Sequence, residues 1–213
     1  MGAAVAFGGP GVIVLSGTQK VVFGIIYSPL LGFLSAAGLM LLLYWLLHRT
    51  RRAVVSNLFG RLQVLSSAYM AFSHGSNDGQ KTMGVIALAL FSAGLLGPEF
   101  YIPLWVMIAA ALSIGFGTAL GGWRIIKTMG TKLVELQPVH GFAAETAAGT
   151  VIEVATRFGV PISTTHAISS AILGVGSLRG RRRVRRGVAG DILTIPGAFA
   201  IGWVLMTFFD FVL

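Results

Sequence analysis

Two short polar stretches stand out in an apolar chain because their residue types could bind ions. The first is Ser73-His74-Gly75-Ser76-Asn77-Asp78-Gly79-Gln80-Lys81-Thr82, and the second is Pro161-Ile162-Ser163-Thr164-Thr165-His166. In the second, a proline suited to a helix start precedes Ser163, Thr164 and Thr165, whose hydroxyls would join free amides at the positive end of a helix dipole. Such an arrangement holds an anion, and phosphate oxygens accept from amides and hydroxyls together. The simpler reading of the same residues is a helix cap. The first stretch has the opposite character: Asn77 and Asp78 supply hard oxygens suited to Na⁺ or a proton, and a carboxylate in an apolar region is a functional candidate. A local pair between Asp78 and Lys81, three residues on, is the alternative.

Glu145 is the third candidate, set in Gly141-Phe142-Ala143-Ala144-Glu145-Thr146-Ala147-Ala148-Gly149 with no basic neighbour. A lone acid at the centre of a membrane helix costs about 2.5–3.5 kcal/mol on insertion scales. A cation or a proton is expected to compensate it. Glu153 differs, because Arg157 follows four residues later and a local ion pair accounts for it. Ser163 and His166 do not read as a hydrolytic pair, being three residues apart with no orienting acid nearby in sequence, so no enzyme activity is expected. His74 lacks a second ligand at helical spacing, and no metal site is expected.

These residues must be positioned by helices in a bilayer. Of 213 residues, 55% are hydrophobic and 11% charged, against about 25% charged in soluble domains. Apolar runs cover 21–47, 83–97, 101–121, 138–156, 161–177 and 188–212, and several reach the ~20 residues that cross ~30 Å of hydrocarbon. Glycine, 29 residues, falls inside these runs and suits close helix packing. No stretch alternates as a membrane β-strand would. The expected class is an all-α polytopic membrane protein. Both polar stretches are flanked by Gly or Pro and read as breaks in helices, tolerated at membrane depth only where protein or a water-filled cavity satisfies the backbone.

The formal charge is +9, but the basic residues lie between the apolar runs. If residues 62–97 make one broken crossing, thirteen Lys and Arg (Arg49 to Arg61, Arg124 to Lys132 and Arg179 to Arg186) share one side, against Lys20 and Arg157 on the other. That asymmetry puts the majority side in the cytoplasm and the start of the chain outside, in a multi-pass plasma or inner membrane protein. A re-entrant hairpin over 62–97 would weaken the tally. The run RGRRRVRR at 179–186 is expected to touch anionic lipid, at about 1 kcal/mol per basic residue. Nucleic acid is not expected as a partner, since no soluble fold presents the run. Tyr44, Trp45 and His48 suit an interfacial belt, Asp191 the first turn of a last helix, and Asp210 the far interface. There is no cysteine, hence no disulfide or thiolate metal site, and the first twenty residues do not read as a signal peptide.

The stretches FSHGSNDGQKTMG at 72–84, GFAAE at 141–145 and PISTTHAISSAILGVG at 161–176 together resemble the second half of an inorganic phosphate transporter of the PiT family. The resemblance implies one repeat of an inverted-repeat secondary transporter, with broken helices or re-entrant hairpins meeting at the bilayer midplane. It implies phosphate and a coupling ion, Na⁺ or H⁺, as ligands, and no other cofactor. By the same resemblance, Asn77 and Asp78 fall on an Asn-Asp signature, Glu145 on an essential glutamate, and Ser163, Thr164 and Thr165 on phosphate-binding hydroxyls. Asn77 would serve both ligands, and His166 is a possible proton-linked group or a packing residue. The implied organisation is the tail of a preceding repeat at 1–20, a connecting transmembrane helix at 21–48, a basic cytoplasmic segment at 49–62 and a C-terminal transport repeat at 63–213. The earlier Asn-Asp and Ser-rich motifs of that family are not found in this sequence. The expectation is therefore a half transporter completed by an N-terminal half or an oligomer partner, the alternative being a transport-incompetent fragment or assembly subunit.

Overall fold

The computed structural model describes residues 5, 6, 8, 9, 11, 13–128 and 137–178, with backbone alone over 123–128. The basic run at 179–186, the apolar run at 188–212, Lys132, Asp191 and Asp210 lie outside the described residues. Among the described residues from Leu15 onward there are five helices: α1 (Leu15–Leu47), α2 (Arg52–Ser92), α3 (Leu104–Thr128), α4 (Pro138–Arg157) and α5 (Thr164–Ser177). No strand occurs among the described residues.

Small residues decide how these helices pack. On α1 the buried positions are Gly24, Ser28, Gly32, Ala36 and Met40, an i, i+4 ridge narrow enough for backbones to approach. A Cβ on Gly24 would overlap the Pro161 carbonyl, one on Gly32 the Ala167 carbonyl, and one on Gly174 of α5 the Phe33 carbonyl. The order of these contacts makes α1 and α5 parallel. Ser66 meets Glu145 and Asn77 meets Thr156 at the same sequence offset of 79, so α2 and α4 are also parallel. The end of α1 touches the start of α4 through Tyr44 Oη and His140 Nε2, 3.2 Å apart, and those two helices are antiparallel. Tyr44 thus partners a buried histidine. Alanines of α4 and α5, with Met40 and Phe59, form the main core.

Outward faces are apolar. In the most apolar windows of α1 and α3, both long enough to cross a membrane, only 17% and 11% of residues are buried. A helix in a water-soluble core would be mostly covered, so these faces call for lipid or more protein.

Three expectations need correction. The break expected in 72–84 is not there: α2 runs unbroken for 41 residues from Arg52 to Ser92, roughly 61 Å at 1.5 Å per residue, and no re-entrant hairpin occurs over 62–97. Most of the polar side chains find partners without unwinding the backbone. Ser73 Oγ donates to Tyr69 O at 3.0 Å, Thr82 Oγ1 to Asp78 O at 3.1 Å, and His74 and Lys81 pair with Asp78 from one helical turn away. Nor does a boundary fall between 62 and 63, because residues 52–62 are the first turns of α2. The connecting helix also begins earlier than expected, at Leu15. The second expected break is present. Helix α4 ends in a Schellman turn, with Val160 N–H on Ala155 O (2.9 Å), Gly159 N–H on Thr156 O (3.0 Å) and Gly159 at φ +64°, a conformation that favours glycine. Pro161, Ile162 and Ser163 follow without helix, and α5 starts at Thr164.

Candidate functional site

The link between α4 and α5 lies against the middle of α2, and there the two polar stretches meet. Thr164, 4% exposed, directs its hydroxyl at Asp78 Oδ2, 3.4 Å away. The other oxygen, Oδ1, takes the Lys81 ammonium at 3.0 Å, and the same ammonium donates to the Ile162 carbonyl at 2.9 Å. His74 Nε2 is 3.5 Å from Asp78 Oδ2. A carboxylate, a backbone carbonyl and a hydroxyl therefore face one another across two helices, with the Lys81 ammonium and the His74 ring set among them.

Ser163 caps α5, its Oγ accepting from His166 N–H at 3.3 Å, which leaves the hydroxyl hydrogen able to donate elsewhere. The local cap and the local Asp78–Lys81 pair that spacing allowed are thus both present. Thr165 is exposed and His166 half-buried. Asn77, 5% exposed, donates from Nδ2 to Thr156 Oγ1 at 2.7 Å. The Thr156 hydroxyl hydrogen goes to Ile152 O at 2.8 Å, so Thr156 acts as acceptor and the amide orientation is set. Asn77 Oδ1 is then buried with no hydrogen-bond partner among the described residues, an arrangement that typically costs about 1–3 kcal/mol.

Glu145 stands apart. Its Oε2 accepts from Ser66 Oγ at 2.5 Å, and Ser66 precedes Asp78 by twelve residues, roughly 18 Å along α2 at the helical rise. The structure therefore does not bring Glu145 into direct contact with Asp78. Glu145 lines a cavity of about 650 Å³ between α2, α3 and α4 together with Gly75, Gly79 and His74, and of these His74 is the residue that touches Asp78. The Glu153–Arg157 pair expected from spacing is present, with Nε to Oε1 at 3.1 Å.

A family model described as the phosphate transporter family matches residues 1–202. The chain belongs to that family. It is accordingly a membrane protein of a transporter family. It is 45% identical over 206 residues to a Rhizobium meliloti (strain 1021) protein and 37% identical over 206 residues to one from Bacillus subtilis (strain 168), each named "Probable low-affinity inorganic phosphate transporter". In both cases 94% of this chain and 62% of the relative are covered, so the chain spans about three fifths of the length of these relatives. Among solved structures, "The sodium-dependent phosphate transporter" matches with a TM-score of 0.64 at 24% identity, covering 100% of this chain and 64% of that one. At that identity the likeness is one of fold.

Within this member of the phosphate transporter family, the geometry adds residues that the motifs alone did not single out. Lys81 reaches from one motif to the other, His74 touches Asp78, Thr156 holds Asn77, and Ser66 holds Glu145. The His74–Asp78 contact carries a local signal, the i, i+4 spacing. Thr156, Ser66 and the Ile162 carbonyl are distant in sequence and carry none. Among the described residues no group of three His, Cys, Asp or Glu could hold a metal ion.

Proposed function

We propose that the chain takes part in moving inorganic phosphate across a cell membrane by symport with Na⁺ or H⁺, as the C-terminal repeat of a multi-pass inverted-repeat transporter. The observation that carries this reading is the bond from Thr164, at the start of α5, to Asp78 on α2. It brings the start of α5, which this reading assigns to the anion, beside a carboxylate. Ser163, Thr164, Thr165 and Asn77 are assigned to phosphate, Asp78, Asn77 and Glu145 to the cation, and His166 to a proton-linked role. The names of the relatives and the family membership support the substrate.

Electrostatics gives the reason for coupling. Two unit charges 4 Å apart interact by about 4 kcal/mol at an effective dielectric of 20; Lys81 neutralises Asp78 in this structure, and a carboxylate that loses the ammonium to an arriving anion would repel it. A cation on the carboxylate removes that repulsion, and anion binding then depends on cation binding. The buried oxygen of Asn77, next to Asp78 on α2, is an acceptor with no partner among the described residues. The test is uptake of radiolabelled phosphate into vesicles holding this chain, first alone and then with a candidate first-half chain, under an inward Na⁺ or H⁺ gradient. Uptake in either setting supports the reading. None in both would leave a membrane protein that folds without transporting.

A further inference from the structure

Lys81 is the one ammonium among the described residues that bridges the two motifs. Its Nζ lies 3.0 Å from Asp78 Oδ1 and 2.9 Å from the Ile162 carbonyl, two hard oxygens of the kind that ligate small cations. The remaining carboxylate oxygen is met by Thr164 Oγ1 at 3.4 Å and His74 Nε2 at 3.5 Å. The ammonium thus sits where a coupling cation would find its ligands. The side chains of Lys81 and Asp78 are 45% and 36% exposed, and ion pairs this open to solvent are weak. An incoming cation can therefore exchange with the ammonium at small cost.

We propose that Lys81 is a built-in stand-in for the coupling cation: it closes the Asp78–Ile162 oxygen set when the cation is absent, and the arriving cation releases it toward the start of α5, where it meets phosphate. The proposal rests on the symport reading above. Charge counting gives it direction. Asp78 with Lys81 is a neutral pair that offers an anion little, whereas Asp78, Lys81 and a cation together carry net positive charge one or two residues from the α5 hydroxyls. Cation binding would thereby both unmask the lysine and create the charge that attracts phosphate. An inert structural brace makes no such prediction, because its removal would weaken both ligands or neither.

The closing lysine acts as a competitor, so the apparent dissociation constant for the cation is the intrinsic one divided by the fraction of time the site is open. If the pair is closed about nine tenths of the time, its removal tightens cation binding by about tenfold. The experiment uses the full chain in phosphatidylethanolamine–phosphatidylglycerol vesicles, with the first-half chain where uptake requires it. Equilibrium binding of radiolabelled sodium and phosphate is measured, and a pH series without sodium supplies the proton arm. Lys81→Gln should bind the cation about tenfold more tightly while cation-stimulated phosphate binding weakens by a similar factor, and Lys81→Arg should restore phosphate binding. Unchanged or weaker cation binding by a folded Lys81→Gln protein, with wild type still showing cation-stimulated phosphate binding, overturns the lysine's role and leaves symport standing. Wild type that shows no cation-stimulated phosphate binding overturns both. Should Lys81→Gln fail to fold, amine acylation of Lys81 in the wild-type protein decides the matter: sodium should speed it relative to choline, and added phosphate should slow it again. Acylation indifferent to sodium and to pH would refute the exchange.

Discussion

The first polar stretch and the link that leads into the second have opposite backbones. Residues 73–82 carry Gly75 and Gly79 and stay helical, whereas 158–163 carry Gly159, Pro161 and Ser163 and do not. What separates them is not polarity. Gly159 takes φ +64°, and among the described residues the other left-handed glycines are Gly9, Gly94 and Gly97, so neither Gly75 nor Gly79 does. Pro161 cannot donate a backbone hydrogen bond and biases the residue before it away from helix. In α2 most polar groups other than Asn77 Oδ1 find partners on the helix itself or on α4 and the link, and nothing forces the ladder open. One stretch therefore contributes side chains from a rigid rod, and the other contributes a helix start. The site forms because the link is laid across the rod.

That division of labour can be attacked from either side. The largest effect is expected from Asp78→Asn, which removes the charge the rod supplies. With a cation–carboxylate interaction of about 4 kcal/mol at an effective dielectric of 20, cation-driven phosphate uptake in a complete assembly should fall by at least about 100-fold. Membrane insertion, followed by fractionation, should be unchanged. Normal uptake would remove Asp78 from the cation site. Next comes Gly159→Ala, which attacks the link's geometry. Holding a non-glycine residue in the left-handed region costs about 1–2 kcal/mol, so the thermal unfolding midpoint of the detergent-solubilised protein should drop. A midpoint equal to wild type would show that the Schellman turn is not what ends α4.

Thr164→Val tests the seam between rod and link. The substitution keeps the shape of a buried side chain and deletes the hydroxyl that meets Asp78. A net hydrogen-bond contribution of about 1–1.5 kcal/mol translates to roughly tenfold weaker phosphate binding, with insertion intact. If phosphate affinity is unaltered while cation affinity falls, the hydroxyl belongs to the cation's ligands and not to the anion's.

Sequence carried the local half of this architecture well. The cap at Ser163, the helix start at Thr164, the Glu153–Arg157 pair and the Asp78–Lys81 pair are all interactions between residues three or four apart, and spacing alone specifies those. Apolar runs located α1, α3 and α4 to within several residues. The continuity of α2 was not legible, because glycine is an ambiguous signal inside a helical pattern: it permits a break without requiring one. Also out of reach were Ser66 on Glu145, Thr156 on Asn77 and Tyr44 on His140, since each pairs helices far apart in the chain. Glu145 shows the consequence. Its chemistry called for a cation or a proton, and the parallel course of α2 and α4 places it at Ser66, twelve residues along the rod from Asp78, on a cavity that His74 also lines.

The smallest expected effect, and the one that bears most directly on the rod, comes from Gly75→Ala. An added Cβ there meets no heavy atom within 4 Å, and it would enter the cavity that Gly75 lines with Glu145 and His74. At a helical glycine with negative φ, alanine stabilises by about 0.5–1 kcal/mol, chiefly by restricting the unfolded chain. The unfolding midpoint should rise slightly and uptake should not change. This is the opposite sign to Gly159→Ala, and the pair of variants reads the two backbones directly. Should Gly75→Ala raise stability but abolish uptake, the flexibility of glycine at this position is used during the cycle, and α2 must unwind at 73–82 in a state other than the one described. The contrast between rod and link would then belong to one conformation of the transporter and not to the transport mechanism.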